Sequence, residues 1–234
     1  MNVKLSALAL GITLAYGMTA AMAADAYIEQ TGSFNVGAID QYDNDGSEVE
    51  ASIVASGNGN VSSIDQSRSN RIWADINASG NGNVASVTQR NVDYAGATVY
   101  QAASGGTVSI DQGNYGWGDG SSQWAHVYQN AGWGNDADIT QRGDKVKTVI
   151  TQEGQFNTAK AEQYGSGRDF NEAYITQDGT AQFASVKQSG RDLTANVTQT
   201  GLGNVAMVEM RGNGHTATVV QNGWANIARV NQRN

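Results

Sequence analysis

The chain has 234 residues, with 14 Lys and Arg against 22 Asp and Glu and a formal charge of -8. A surface of that sign repels phosphate, which argues against a nucleic-acid-binding role. There are 29 Gly, no Pro and no Cys, and 15% of residues are charged, where an average domain has about 25% charged residues and about 5% Pro. Exclusion of Pro suits an unbroken ladder of backbone hydrogen bonds, and without Cys no disulfide can support the fold.

The first element is a leader. Lys4, an apolar stretch from Leu5 to about Met18, and Ala21, Met22 and Ala23 as a small-x-small site read as a signal peptide over residues 1–23. The mature domain is then 24–234. A membrane anchor suits the stretch less well, because Ser6, Gly11, Thr13 and Gly17 interrupt it.

From Ala26 onward the chain repeats one unit, Ala-x-Ile/Val-x-Gln-x-Gly-x-x-Asn-x-Ala-x-Val/Ile-x-Gln. The last copy shows it most fully, in Ala217, Val219, Gln221, Gly223, Asn226, Ala228, Val230 and Gln232. Paired Gln-type positions fall at 30 and 41, 55 and 66, 78 and 89, 101 and 112, 129 and 141, 152 and 163, 177 and 188, 199 and 210, and 221 and 232. They define about nine repeats. Spacing within a pair is nearly constant, which implies a fixed tight turn at Gly-x-x-Asn through residues tolerant of positive φ. Spacing between pairs varies, which implies loops on one edge; the longest are Gly113 to Gln123, with Tyr115, Trp117 and Asp119, and Asp43 to Glu48.

Each arm alternates with period two, so Ala26, Ile28 and Gln30 share one face and Tyr27, Glu29 and Thr31 the other. The inward set is uniform: Ala at 26, 51, 74, 97, 125, 173, 195 and 217, with Thr148 the exception, then Ile or Val two residues on. Outward neighbours such as Glu29, Val54, Asn77, Tyr100 and Thr151 are unlike one another. The fold expected is all-β, a β-solenoid of about nine stacked strand-turn-strand repeats of cross-β type.

A buried carboxamide is costly unless its donors and acceptor are used, and identical side chains one repeat apart can satisfy each other. The expected ladders are Gln30, Gln101, Gln129, Gln152, Gln177, Gln199 and Gln221 on the first arm, and Gln41, Gln66, Gln89, Gln112, Gln141, Gln163, Gln188 and Gln232 on the second. Asn35, Asn60, Asn83, Asn135, Asn157, Asn204 and Asn226 join them at the turn. Ala55, Ala78 and Met210 interrupt the Gln columns and are expected weak points.

This pattern resembles the curlin repeat of curli subunits from Ala26 to Gln232. The resemblance implies a secreted, extracellular functional amyloid of a bacterial biofilm matrix, a homopolymer with a companion curli subunit and an outer-membrane secretion pore as partners. One departure is that Ile28 opens the first repeat almost at once, where major subunits of the family have a Gly-rich segment. Fibre-forming subunit and nucleator share the repeat; Arg229 and Arg233 near the end are similar to a nucleator, while Asn196 to Asn204 is similar to the major subunit.

Soluble solenoids blunt their terminal rungs with caps. Here the end rungs, with Ile28 and Gln30 at one end and Val219, Gln221, Val230 and Gln232 at the other, match each other, which predicts open-ended stacking of copies. Asp40, Asp65, Asp111, Glu162, Lys187 and Glu209 are expected to face outward as a solvated surface, with some restraint on premature aggregation.

No constellation for catalysis emerges, and no cofactor or small-molecule substrate is expected. His126 and His215 lack metal-ligand spacing, and Asp43, Asp45 and Glu48 fit no calcium loop. Trp117, Trp124 and Trp133 could form a platform for a sugar or dye, though ordinary outward aromatics account for them equally well. A monomeric ligand-binding solenoid is the alternative, and it needs a repeated outward array that the mixed outward residues do not supply.

Overall fold

The computed structural model describes residues 5–6, 9–17, 24–44, 48–114, 120–167 and 169–234. Strands account for most of them. β1 (Leu5–Ser6) and β2 (Ala9–Gly17) run parallel to β3 (Ala24–Tyr42), which holds both arms of the first repeat. The other eight repeats each divide into two strands at the tight turn: β4 (Val49–Asn58) and β5 (Val61–Ser67), β6 (Ile72–Asn81) and β7 (Val84–Arg90), β8 (Val92–Gln101) and β9 (Thr107–Gly113), β10 (Gly120–Gln129) and β11 (Asp136–Gly143). They continue as β12 (Val146–Gln155) and β13 (Thr158–Gly165), β14 (Asn171–Thr180) and β15 (Phe183–Arg191), β16 (Thr194–Leu202) and β17 (Val205–Asn213), β18 (Thr216–Trp224) and β19 (Ile227–Arg233).

From β4 on, each strand pairs in parallel with the strand two further along, so the chain winds through nine arcs. All first arms form one sheet and all second arms the other. This is the all-β solenoid that the repeat implies. Its register places like on like: Ala26, Ala51, Ala74, Ala97, Ala125, Thr148, Ala173, Ala195 and Ala217 lie opposite one another in turn. Small Ala, then branched Ile or Val, then Gln alternate inward along most arms. A one-residue slip would turn that whole set to solvent, so the register is strongly specified.

The core fills the space between the sheets, with Ile53, Ile76, Ile139 and Ile150 among its largest wholly buried members. A further inward row, two residues before the Ala row, was not read from the repeat. It runs Val49, Ile72, Ala95, Gln123, Val146, Asn171 and Leu193, all buried. The signal was present in the period-two alternation, which simply starts earlier than the Ala.

Two features of the turns correct the sequence reading. Positive φ occurs at the Gly and again at the residue before the Asn, as at Gly154 (φ 94) and Phe156 (φ 54), while the turn Asn residues stay out of that region. The turn Gly also has a second cause: a Cβ on Gly154 would fall 1.9 Å from the Gly179 carbonyl oxygen in the next arc, a severe overlap. Stacking itself therefore demands the missing side chain.

The loop expected from Gly113 to Gln123 is shorter than that, since β9 runs to Gly113 and β10 begins at Gly120. Gln123 is the physical reason. Its buried Nε2 donates to the carbonyls of Gly113 and Gly143 at 3.3 and 2.7 Å, tying the strand start to the end of the arc before and to the end of its own arc. Tyr115, Trp117, Asp119, Asp45, Lys4 and the expected cleavage site at Ala21, Met22 and Ala23 lie outside the described residues.

Candidate functional site

The feature that could act beyond the chain is the pair of carboxamide ladders and the arc where they end. On the second arm, the Nε2 of Gln41 donates to the Oε1 of Gln66 at 2.7 Å, and the pattern continues from Gln66 to Gln89, Gln89 to Gln112, Gln112 to Gln141, Gln141 to Gln163 and Gln163 to Gln188 at 2.6–3.2 Å. On the first arm the run is Gln101, Gln129, Gln152, Gln177, Gln199 and Gln221 at 2.8–3.1 Å. Every step points the same way, from the earlier arc's donor to the later arc's acceptor.

That direction is fixed by a second hydrogen bond. The same Nε2 groups reach across the interior to backbone carbonyls of the opposite arm, as from Gln66 to Glu50, Gln152 to Asp136 and Gln199 to Phe183 at 2.9–3.0 Å. Turning the amide round would place two acceptors face to face. Each Gln thus staples its arc to the next and one sheet to the other.

The turn Asn residues act differently. Asn60 Oδ1 accepts from the backbone N–H of Asn83 at 3.0 Å, and Asn60 Nδ2 donates to the Ser56 carbonyl at 2.8 Å and the Gly80 carbonyl at 3.1 Å. Asn35, Asn135 and Asn157 make the same set. They clamp the turn backbone of two arcs; the side-chain pairing that the sequence suggested occurs where Asn226 Nδ2 donates to Asn204 Oδ1 at 3.0 Å. Asn83 clamps in the same way towards Gly106, Asn204 towards Asn226, and Gln182 fills the place in the seventh arc; Gln182 was missed because its longer side chain hides the shared position.

The interruptions leave marks. Ala55 and Ala78 are buried in the first-arm column, and the Oε1 of Gln101 just after them is buried without a donor. Met210 is buried between Gln188 and Gln232, and the Oε1 of Gln232 lacks a partner as well. Thr148 explains itself: its hydroxyl donates to Gln163 Oε1 at 2.6 Å and accepts from Gln141 at 3.1 Å.

The ninth arc is the uncovered face. Gln221 and Gln232 donate across to the carbonyls of Val205 and Thr216 at 3.0 and 3.2 Å, and no later arc of the described chain meets them. Ile227 is 81% exposed and Val230 half-buried, while Val208, one arc earlier in the same row, is buried. At the other end Ile28, Gln30 and Gln41 are buried, with β1 and β2 alongside.

The outward charges form pairs, all but Arg211 with Glu209 between arcs. Arg90 meets Asp65, Arg142 meets Asp111, Lys187 meets Glu162 at 2.7 Å, and Glu209 is shared by Arg211 at 2.8 Å and Arg233 at 3.3 Å. Asp40 is exposed. His126 is partly buried on the first-arm face, and burial followed by the nearby Lys147 holds its imidazole below the ordinary 6.5. His215 sits at the far end of the solenoid, and among the described residues no group of three or more His, Cys, Asp or Glu is placed to hold a metal. Trp124 packs on Trp73 at 4.7 Å across Gly96, and Trp133 packs on Phe156 elsewhere, so the two do not share a platform.

The in-register arcs with their internal Gln ladders have a counterpart among known repeats. The profile of the curlin associated repeat matches residues 169–201 and again 190–223. Residues 169–223 are thus similar to the curlin associated repeat. No curated protein matches it.

Proposed function

We propose that the chain is a fibre-forming structural subunit of an extracellular curli-type amyloid, in which the last arc of one copy receives the first arc of the next. The fibre serves a biofilm matrix, adhesion and cell aggregation. The carrying observation is that the ninth arc repeats the interior residues of the arcs before it and leaves those of its second arm, Ala228, Val230 and Gln232, only half-buried. A donor-to-acceptor ladder of one direction also favours head-to-tail addition: Gln221 and Gln232 meet Gln30 and Gln41 of the following copy.

Export removes residues 1–23, which frees the first arc from β1 and β2. The partners are other copies of the chain, a companion curli subunit and an outer-membrane pore. Regular inward columns along all nine arcs favour the fibre role over that of a nucleator.

The test is thioflavin-T fluorescence of the mature protein over time, with and without sonicated seeds. A lag that seeds abolish supports the reading. A stable, soluble, β-rich monomer overturns it in favour of a ligand-binding solenoid.

A further inference from the structure

Two aromatic side chains in the turns have almost nothing over them: Phe34 is 76% exposed and Trp224 80% exposed. Within the chain the same two turn positions are aromatic once more, at Trp133 in the fifth arc and Phe156 in the sixth. There the rings lie 4.7 Å apart between centroids and are tilted by 58°. Trp133 stands opposite Gln155, Phe156 is one residue further on, and the Phe156 N–H donates to the Trp133 carbonyl at 3.1 Å.

Trp224 is the last member of the row that contains Trp133, reached through Gln155, Thr180 and Leu202, and Ser33 stands at the first arc's place in that row. An arc with the residues of β3 stacked in register on the ninth arc therefore sets Ser33 opposite Trp224 and Phe34 one residue on. That is the offset of Trp133 and Phe156. Phe34 and Phe156 also share a left-handed backbone, with φ 59 and φ 54, at a position where arcs such as the second and third have Gly59 and Gly82. A bulky residue is strained there and needs a compensating contact; Phe156 has Trp133, and Phe34 has no aromatic partner among the described residues.

Charge favours the same juxtaposition. Residues 24–50 hold seven Asp and Glu with no Lys or Arg, and residues 205–234 hold three Arg against one Glu. We infer that the two ends form a docking surface for a second copy of this chain, in which Phe34 of one copy packs on Trp224 of the copy before it. The inference rests on the head-to-tail fibre reading and adds the contact that fixes its register.

The test is the seeded elongation rate of the mature protein and of three variants, Trp224→Thr, Phe34→Gly and both together. Thr and Gly are the residues at Thr180 and Gly59, so the arcs accept them. Each single change slows elongation about tenfold and the double is no slower than either, as for one shared contact; Trp224→Phe keeps most of the rate. Unchanged rates, or losses that multiply in the double variant, overturn the contact while leaving the fibre reading standing. Failure of the unmodified protein to elongate overturns both.

Discussion

At the scale of the residue, each inward Gln does three things at once, and its removal is felt at each. Gln152 donates to Gln177, to the Asp136 carbonyl and to the Asn157 carbonyl, and accepts from Gln129. Gln152→Ala leaves buried partners unsatisfied and opens a cavity, at a cost of about 3 kcal/mol. Gln232→Ala, on the open arc, costs under about 1 kcal/mol; denaturant midpoints of the two variants check the contrast. Titration gives a second handle. Burial keeps His126 below 6.5 in the fold, so the unfolded chain binds the proton more tightly and stability falls as pH drops through 6.5. Burial raises Asp75 and Asp138 instead, a penalty present at neutral pH and relieved as pH falls through their raised values. His126→Asn should remove part of the loss between pH 7.5 and 5.5, seen as a smaller shift in denaturation midpoint.

At the scale of the element, the repeat dictates the arms almost completely, because Ala, Ile or Val and Gln at period two can bury only one face. Less was legible at the turns. Tolerance of positive φ accounts for Gly in a single hairpin, but the carbonyl of Gly179 beside Gly154 exists only once arcs are stacked. Gly154→Ala should therefore cost well over about 2 kcal/mol, while Gly203→Ala, with φ 66 and nothing within 4 Å of its added Cβ, costs about 1 kcal/mol. Unfolding midpoints of the pair decide whether stacking or backbone strain sets the Gly column. The bonds of the turn Asn residues run mostly to backbone, with Asn226 donating to the Asn204 side chain at 3.0 Å as the exception.

At the scale of the molecule, the outward charges look like scattered solvation until arcs are laid in register, when Asp65 and Arg90, or Glu162 and Lys187, become neighbours more than twenty residues apart. Such exposed pairs contribute about 0.2–1 kcal/mol each, so they trim the surface and the ladders hold the fold. What the whole molecule adds is direction, since every Gln step passes a donor towards the ninth arc and the acidic and basic ends differ. The most direct measurement of head-to-tail stacking is X-ray diffraction from aligned fibres of the mature protein. A meridional reflection at about 4.7–4.8 Å, with an equatorial one near about 10 Å, is the result predicted; material that stays monomeric, or aggregates with no meridional reflection, would contradict the account.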